Sequence, residues 1–94
     1  MAEITFNYEG SNTIIQCDIN DKTKDIINKF LTKTTKEENI KLYYLYNGSK
    51  INEELTFNEQ ANQIDKNRKK MNVIVYNNFE EPNQKNEILY YQKI

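Results

Sequence analysis

A chain of 94 residues is long enough for one small domain, and with 37% apolar residues its core must be compact. Its 13 basic and 14 acidic side chains leave a net charge of −1, which excludes the strongly positive field that non-specific nucleic-acid binding needs. The chain has no histidine and one cysteine, Cys17, so His-based triads, Cys–His dyads, the usual zinc sites and an internal disulfide are excluded as well.

Other functional classes are disfavoured by segments that the sequence lacks. No apolar run approaches the roughly 20 residues of a membrane span, and the opening Met-Ala-Glu-Ile is neither a signal peptide nor a basic presequence. No glycine-rich loop could cradle a phosphate, and no carboxylates form a recognisable acid/base motif. We therefore expect an intracellular protein, cytoplasmic or nuclear, that is not an enzyme, uses no cofactor or metal, and binds neither membranes nor nucleic acid.

The chain begins with two predicted strands. Residues 3–8 alternate between apolar and polar side chains, as in a half-buried strand. A turn at residues 9–12 follows, and residues 13–19 alternate again, so this part of the chain is predicted to form a β-hairpin. The predicted core side of the hairpin comprises Ile4, Phe6, Tyr8, Ile15, Cys17 and Ile19, and Ile14 is an exposed exception.

The hydrophobic period then changes from that of a strand to that of a helix. Asp21-Lys22-Thr23 supplies candidate N-cap residues, and apolar residues recur at helical spacing from Ile26 to Leu31. The pattern predicts an amphipathic helix over residues 22–34, which the charged run 36–39 ends.

A second hairpin follows the helix. Ile40 to Tyr46 is rich in β-branched and aromatic residues, and the Asn47-Gly48 pair directly after it is the strongest short-range signal for a type I′ hairpin turn. Both central residues of that turn need φ > 0, and Gly10 and Gly48 are the only glycines of the chain. A short return strand is therefore expected at residues 50–51.

The segment after this hairpin is mostly polar. Thr56 or Asn58 could cap a short helical turn. Within residues 58–70, only Ala61 and Ile64 offer apolar anchors. The sequence therefore predicts an irregular connection to the next strand.

The last predicted strand follows a basic run. The run at residues 66–70 has no interleaved aromatic side chains for base stacking, so we interpret it as a solvated loop. Residues 71–76 then alternate, with Met71, Val73 and Val75 on the apolar side.

The composition changes after the last strand. Residues 77–87 are polar and contain the only proline, Pro82, as in a linker, and residues 88–94 form a short apolar cluster. We therefore expect a domain at residues 1–77 and a polar linker with an apolar tail at 78–94. The large apolar residues of the cluster favour docking over disorder.

The order of these elements resembles that of the ubiquitin-like family. The closest local matches are Thr23 at the helix start, the stretch from Tyr46 to Ile51, and the pair Thr56-Phe57. In ubiquitin the last two correspond to a Phe-Ala-Gly-Lys-Gln-Leu hairpin and a Thr-Leu pair. The resemblance covers about residues 2–76 and implies an α+β fold, the ubiquitin-like β-grasp. It implies a mixed four- to five-stranded sheet packed on one helix, with the first and last strands parallel at its centre.

One feature of ubiquitin-like modifiers is missing from this chain. Such modifiers are conjugated through a C-terminal Gly-Gly, because a flexible tail without side chains must thread narrow enzyme channels. No glycine follows Gly48, and the last four residues are Tyr91-Gln92-Lys93-Ile94. We therefore expect no covalent conjugation.

The resemblance also supplies a candidate binding surface. The family's main recognition patch combines an isoleucine on the third strand with a histidine and a valine on the last. Carried over, these positions are Leu45, Asn72 and Ile74, and Tyr43 and Tyr76 would extend the same face. An apolar patch that faces solvent marks an interaction site, so we expect protein partners there. The tail residues Ile88, Leu89, Tyr90 and Tyr91 are a second candidate contact, or they cover this sheet face themselves.

Three functional hypotheses follow from the resemblance. The leading one is a non-conjugating ubiquitin-like interaction module or adaptor subunit of a multi-subunit assembly. The alternative is an N-terminal ubiquitin-like domain of a longer ubiquitin-pathway protein, a proteasome shuttle or regulator, with the residues after 77 as a linker. The third, a β-grasp module that binds small GTPases or pairs with acidic domains, uses basic residues on the first two strands, and residues 3–8 and 13–19 have none.

Overall fold

The computed structural model describes residues 1–34 and 42–77. Within these ranges the predicted hairpins, helix and last strand are all present, although the second strand ends at Cys17 and not at Ile19. The predictions for residues 36–41, which include the charged run after the helix, and for 78–94, including Ile88, Leu89, Tyr90 and Tyr91, lie outside the described residues. In chain order the elements are β1 (Ala2–Tyr8), β2 (Ser11–Cys17), α1 (Thr23–Thr34), β3 (Leu42–Tyr46), β4 (Ser49–Lys50), α2 (Phe57–Gln60), α3 (Gln63–Arg68) and β5 (Lys70–Asn77).

β1 and β5 lie side by side at the centre of the sheet and run parallel. The five described strands are ordered β2-β1-β5-β3-β4, and the other neighbouring pairs are antiparallel. A parallel pair needs a long crossover connection, and α1 with the second hairpin provides it. This is the expected α+β arrangement, a mixed sheet with one long helix packed on it.

Two turns with positive φ set the register of the hairpins. The φ angles are +55° at Glu9 and +84° at Gly10, and +52° at Asn47 and +79° at Gly48. Each turn therefore has the φ > 0 at both central residues that a two-residue type I′ hairpin requires. As a result Tyr8 lies opposite Ser11 and Tyr46 opposite Ser49.

Three aromatic rings form the centre of the core between the sheet and α1. The ring of Phe6 stacks on that of Phe30 with centroids 4.6 Å apart. The Tyr44 ring meets both edge-on, at 6.1 Å and 6.3 Å. Burial first, and Glu53 second, raise the pKa of the Tyr44 hydroxyl to about 12. The core around these rings includes Ile4, Ile15, Ile26, Ile27, Met71, Val73 and Val75, as the alternation and the helical spacing predict.

Thr23 fastens the start of α1 to the segment that precedes α2. Its backbone N–H and its Oγ1 both donate to the carbonyl oxygen of Leu55, each at 2.8 Å. The Gln60 amide donates to the Thr23 Oγ1 at 2.9 Å. The Thr23 side chain is fully buried, so these bonds are what makes a polar residue tolerable there.

α2 begins with a capping box. The Glu59 N–H donates to the Thr56 Oγ1 at 3.1 Å, and the Thr56 N–H donates to the Glu59 carboxylate at 3.0 Å. The prediction of a short helical turn capped at this point is confirmed for Thr56. Phe57, the first residue of α2, is fully buried.

The prediction of a loop at residues 66–70 is wrong. The first part of this run belongs to α3. Asn62 caps the start of this helix, because its side-chain oxygen accepts a hydrogen bond from the Asp65 N–H at 2.8 Å. Lys69, with φ +59°, caps its end. Ile64 is 72% exposed and anchors nothing, whereas Ala61 is buried as expected. The helix is held by a polar residue, Asp65, and for that reason apolar periodicity does not reveal it.

A buried polar cluster holds α3 against β3. The Tyr46 hydroxyl donates to Asp65 Oδ2 at 2.6 Å and accepts from the Asn62 N–H at 2.9 Å. Arg68 Nε donates to Asp65 Oδ1 at 3.0 Å, so both carboxylate oxygens have a partner. Burial, and after it the bond to Asp65, raise the pKa of the Tyr46 hydroxyl.

Removing the Tyr46 hydroxyl should destabilise the fold. In a Tyr46→Phe variant, Asp65 loses its shortest hydrogen bond and the Asn62 N–H loses its acceptor, which should lower the free energy of unfolding by about 1–3 kcal/mol. The matched control is Tyr76→Phe, a hydroxyl on an exposed side chain, with an expected change within about 0.5 kcal/mol. Urea unfolding followed by circular dichroism measures both, and equal midpoints for the two variants would contradict the anchoring role.

Stability should fall with rising pH on the alkaline side. Burial raises the pKa of the Cys17 thiol from 9.0 to about 11, and that of the Tyr44 hydroxyl is raised from 10.0 to about 12. The unfolded chain releases the thiol proton between about pH 9 and pH 11, and the tyrosine proton between about pH 10 and pH 12, while the folded chain still keeps them. The free energy of unfolding therefore decreases from about pH 9 to about pH 12. Urea unfolding at stepped pH should show this decline, with a shallower slope for Cys17→Ala between about pH 9 and pH 10. An unchanged slope in that variant would rule out the thiol as a contributor.

Candidate functional site

The sheet has an outer face, opposite α1, that the core does not use. Buried and exposed side chains alternate along β5 from Lys70 to Tyr76. The buried side chains are those of Met71, Val73 and Val75, and the exposed ones are those of Lys70, Asn72, Ile74 and Tyr76. On β3 the rings of Tyr44 and Tyr46 face the core. The side chains of Tyr43 and Leu45, which alternate with these rings, therefore face outward, as alternation along a strand requires.

Four of the predicted site residues meet on this outer face. Leu45 lies directly opposite Ile74, and Tyr43 lies opposite Tyr76. Residues opposite each other in an antiparallel pair have Cβ atoms about 4.5–5.5 Å apart, so their side chains are in contact range. Ile74 is 48% exposed and Tyr76 is 46% exposed, while the two β3 side chains are half-buried. We call these four residues the outer patch.

Asn72 lies on the same face, beside the outer patch, and its neighbours there are polar side chains. Its partner is Thr5 on β1 and not a residue of β3. Together with Asn7 and Asn12, these two residues line a shallow depression. The Asn7 amide donates to the Asn12 side-chain oxygen at 2.7 Å. Asn72, which the family resemblance assigned to the recognition patch, thus lies beside the outer patch and contributes an amide there.

Charged side chains on the described part of this face lie only at its rim. Lys50 on β4 is opposite Leu45, and Lys70 at the start of β5 is opposite Glu3 on β1. Because no charge lies between them, a partner could cover the outer patch without burying an ion. One row that crosses all five strands shows the gradient from amide to apolar to charged: Asn12, Asn7, Ile74, Leu45 and Lys50.

Lys50 and Asn7 are neighbours of the outer patch that the sequence analysis missed. Lys50 lies in the predicted return strand, but its position beside Leu45 depends on the hairpin register. Asn7 reaches Ile74 only through the parallel pairing of the first and last strands. The Asn47-Gly48 turn could have indicated the first of these contacts, since a two-residue turn fixes which residues are opposite.

Other chemistry-bearing groups are used inside the fold. The Asp65 carboxylate has both oxygens bonded within the Tyr46 cluster, and the Cys17 thiol is buried with a raised pKa. Within residues 1–34 and 42–77, no three His, Cys, Asp or Glu residues lie together as a metal site would need. None of the helices that the structure describes is long and apolar enough to cross a membrane.

Comparisons with known proteins bear on the fold. No protein-family model matches the chain, and no curated protein matches it. A crystal structure of ATBAG1 in complex with HSP70 superposes with a TM-score of 0.63 and 8% identity, and the match covers 82% of this chain and 40% of that chain. A protein designed on the basis of ubiquitin superposes with a TM-score of 0.61 and 16% identity, covering 85% of this chain and 92% of the design. The fold is ubiquitin-like.

These similarities concern the fold alone. Identities of 8% and 16% carry no information about which side chains bind. The chain spans less than half the length of the ATBAG1 chain, so in that protein the shared fold is one part of a longer polypeptide. Functional arguments therefore depend on the side chains of this chain.

Proposed function

We propose that this chain is a ubiquitin-like protein-interaction module that is not conjugated to other proteins and that binds a partner protein through the outer patch. The observation that carries the proposal is the placement of four large side chains, two aliphatic and two aromatic, as two directly opposite pairs that remain partly exposed on one sheet face. Contiguous exposed apolar side chains of this kind mark interaction sites. The charged side chains of the described part of this face lie at its rim, which also supports the outer patch as the binding surface, since interface centres are depleted of charged residues.

The outer patch offers side chains whose burial contributes to the binding free energy of an interface. Burying the exposed half of Ile74 contributes about 1 kcal/mol, and Leu45 contributes a similar amount. Tyrosines are frequent hot spots of interfaces, which gives Tyr43 and Tyr76 the role of anchors. Lys50 and Lys70 at the rim would orient a partner of negative charge and speed its association.

The apolar tail is the proposed second contact. Its four residues Ile88, Leu89, Tyr90 and Tyr91 follow a polar linker with the only proline of the chain. Two contacts joined by a linker bind one assembly more tightly than either does alone, because the second event is intramolecular. Such an arrangement suits an adaptor subunit of a larger complex.

A second candidate function is an N-terminal ubiquitin-like domain of a longer ubiquitin-pathway protein, a shuttle or regulator. The observation that favours it is the ATBAG1 chain, in which the shared fold is part of a longer polypeptide that was solved in complex with HSP70. The residues after 77 would then join this domain to the next. The mass of the cellular polypeptide distinguishes the two candidates.

Acidic substitutions in the outer patch should abolish partner capture. In a Leu45→Asp, Ile74→Asp double variant, two apolar contacts are lost and two charges would have to be buried, so recovery of partners should fall at least about tenfold. The measurement is affinity purification of the tagged full chain from its own cells after cross-linking, with quantitative mass spectrometry of the recovered proteins. Circular dichroism of the purified variant checks that the fold is intact.

The matched control carries the same added charge away from the outer patch. Asn20→Asp, Asn58→Asp places two aspartates on exposed positions, one in the turn before α1 and one on α2, and should leave recovery unchanged. Equal recovery with the outer-patch variant and with wild type would remove this surface as the binding site. Loss of recovery with a Leu89→Asp, Tyr90→Asp variant alone would assign binding to the tail.

A further inference from the structure

β2 is a long strand at one edge of the sheet. It has seven residues, Ser11–Cys17, and within residues 1–34 and 42–77 its one neighbouring strand is β1. The opposite edge is formed by β4, which has two residues. Among the described strands, β2 therefore offers the longer row of backbone groups for pairing with a further strand.

The hairpin register shows which backbone groups of β2 point outward. In a two-residue hairpin the pair that flanks the turn, here Tyr8 and Ser11, exchanges hydrogen bonds, and bonded and non-bonded pairs then alternate. The N–H and C=O groups of Asn12, Ile14 and Gln16 consequently point away from β1. The ammonium of Lys33 on α1 confirms this direction, because it donates to the outward carbonyl oxygen of Ile14 at 3.3 Å.

The strand itself carries none of the usual devices that keep edges from pairing. Proteins protect edge strands with charged side chains, prolines or bulges. β2 reads Ser-Asn-Thr-Ile-Ile-Gln-Cys, and its pairing with β1 is regular over all seven residues. At its middle, Ile14 leaves a β-branched apolar side chain 47% exposed. Among the residues that the structure describes, the one device in reach is Lys33, which comes from the helix and covers one carbonyl.

We propose that β2 pairs antiparallel with β2 of a second copy of this chain, about a two-fold axis at Ile14. In this register Ile14 lies opposite Ile14 of the second copy, and Asn12 lies opposite Gln16. The outward N–H and C=O groups of these residues then bond each other, and the two sheets join into one.

A second copy fits this edge because the strand is complementary to itself. A two-fold contact must place each residue against a compatible one in the same sequence. Here an apolar pair at the axis is flanked on both sides by pairs of amides, and the strand brings no like charges opposite each other. The net charge of −1 adds little repulsion between two chains.

Lys33 opposes this pairing and so controls its strength. Its ammonium already donates to the Ile14 carbonyl and so competes with a second strand for the same oxygen. Two copies of Lys33 also approach each other across the axis, where like charges repel. Lys33 thus acts as a gatekeeper of the edge, and the dimer of the wild-type chain is expected to be weak.

The test is sedimentation equilibrium of the full chain from micromolar to millimolar concentration, with two variants that act in opposite directions. Ile14→Lys places a charge at the axis and should raise the dimer Kd at least about tenfold, since like charges directly opposite destabilise strand pairs. Lys33→Ala removes the competing donor and should lower the Kd several-fold. Both positions are exposed, and circular dichroism checks that both variants fold.

Amide hydrogen exchange locates the contact. The amides of Asn12, Ile14 and Gln16 should exchange more slowly as the protein concentration rises, and those of β4 should not change. A chain that stays monomeric over the whole series overturns the proposal. A dimer whose Kd is the same for both variants as for wild type also overturns it. Exchange at these three amides that slows only when a different protein is added would overturn it as well.

The edge and the outer patch can fail separately. The Leu45→Asp, Ile74→Asp variant should dimerise with the wild-type Kd, because neither residue lies on β2. A Kd that rises with this variant and not with Ile14→Lys would move self-association to the outer patch and overturn pairing through β2.

Discussion

The packing of α1 across the parallel pair β1 and β5 is the constraint on which the rest of the structure depends. Phe6 stacks on Phe30 at the centre of this packing, and Val73 and Val75 face the same helix from the neighbouring strand. Because side chains alternate along a strand, every residue that faces α1 fixes its neighbours on the outer face. A slip of one residue in β5 would bury Ile74 and expose the two valines. The outer patch is therefore a consequence of the same register that builds the core.

The parts of the fold that could be predicted from the sequence are those that local chemistry determines. The Asn47-Gly48 turn and the alternation of the strands act over a few residues and are visible in the sequence. α3 could not be predicted, because its anchor is a hydrogen bond between Asp65 and Tyr46, nineteen positions apart. Ile64 was the misleading signal there, since it is apolar but faces solvent. The pairing of outer-patch residues across strands depends on sheet order, which only the family resemblance supplied.

Two of the proposed contacts, the outer patch and the β2 edge, depend on different interactions. The outer patch offers side chains, and its strength depends on the apolar area that a partner covers. The β2 edge offers backbone groups, and its strength depends on whether Lys33 releases the Ile14 carbonyl. Since the edge lies two strands away from β5 in the sheet order, a partner on the outer patch and a second copy on the edge can bind together. Together the two proposals describe one small domain that links a partner to a dimer.

The central claim is that a partner covers the outer patch, and lysine footprinting tests it most directly. Lys50 and Lys70 lie at the rim of the outer face, whereas Lys24 and Lys29 lie exposed on α1. The tagged chain is acetylated in its cross-linked complex and, in parallel, as the purified free protein, and each site is quantified by mass spectrometry. The two rim lysines should lose reactivity in the complex while the two helix lysines keep theirs. Unchanged reactivity at the rim with protection on α1 would contradict the claim.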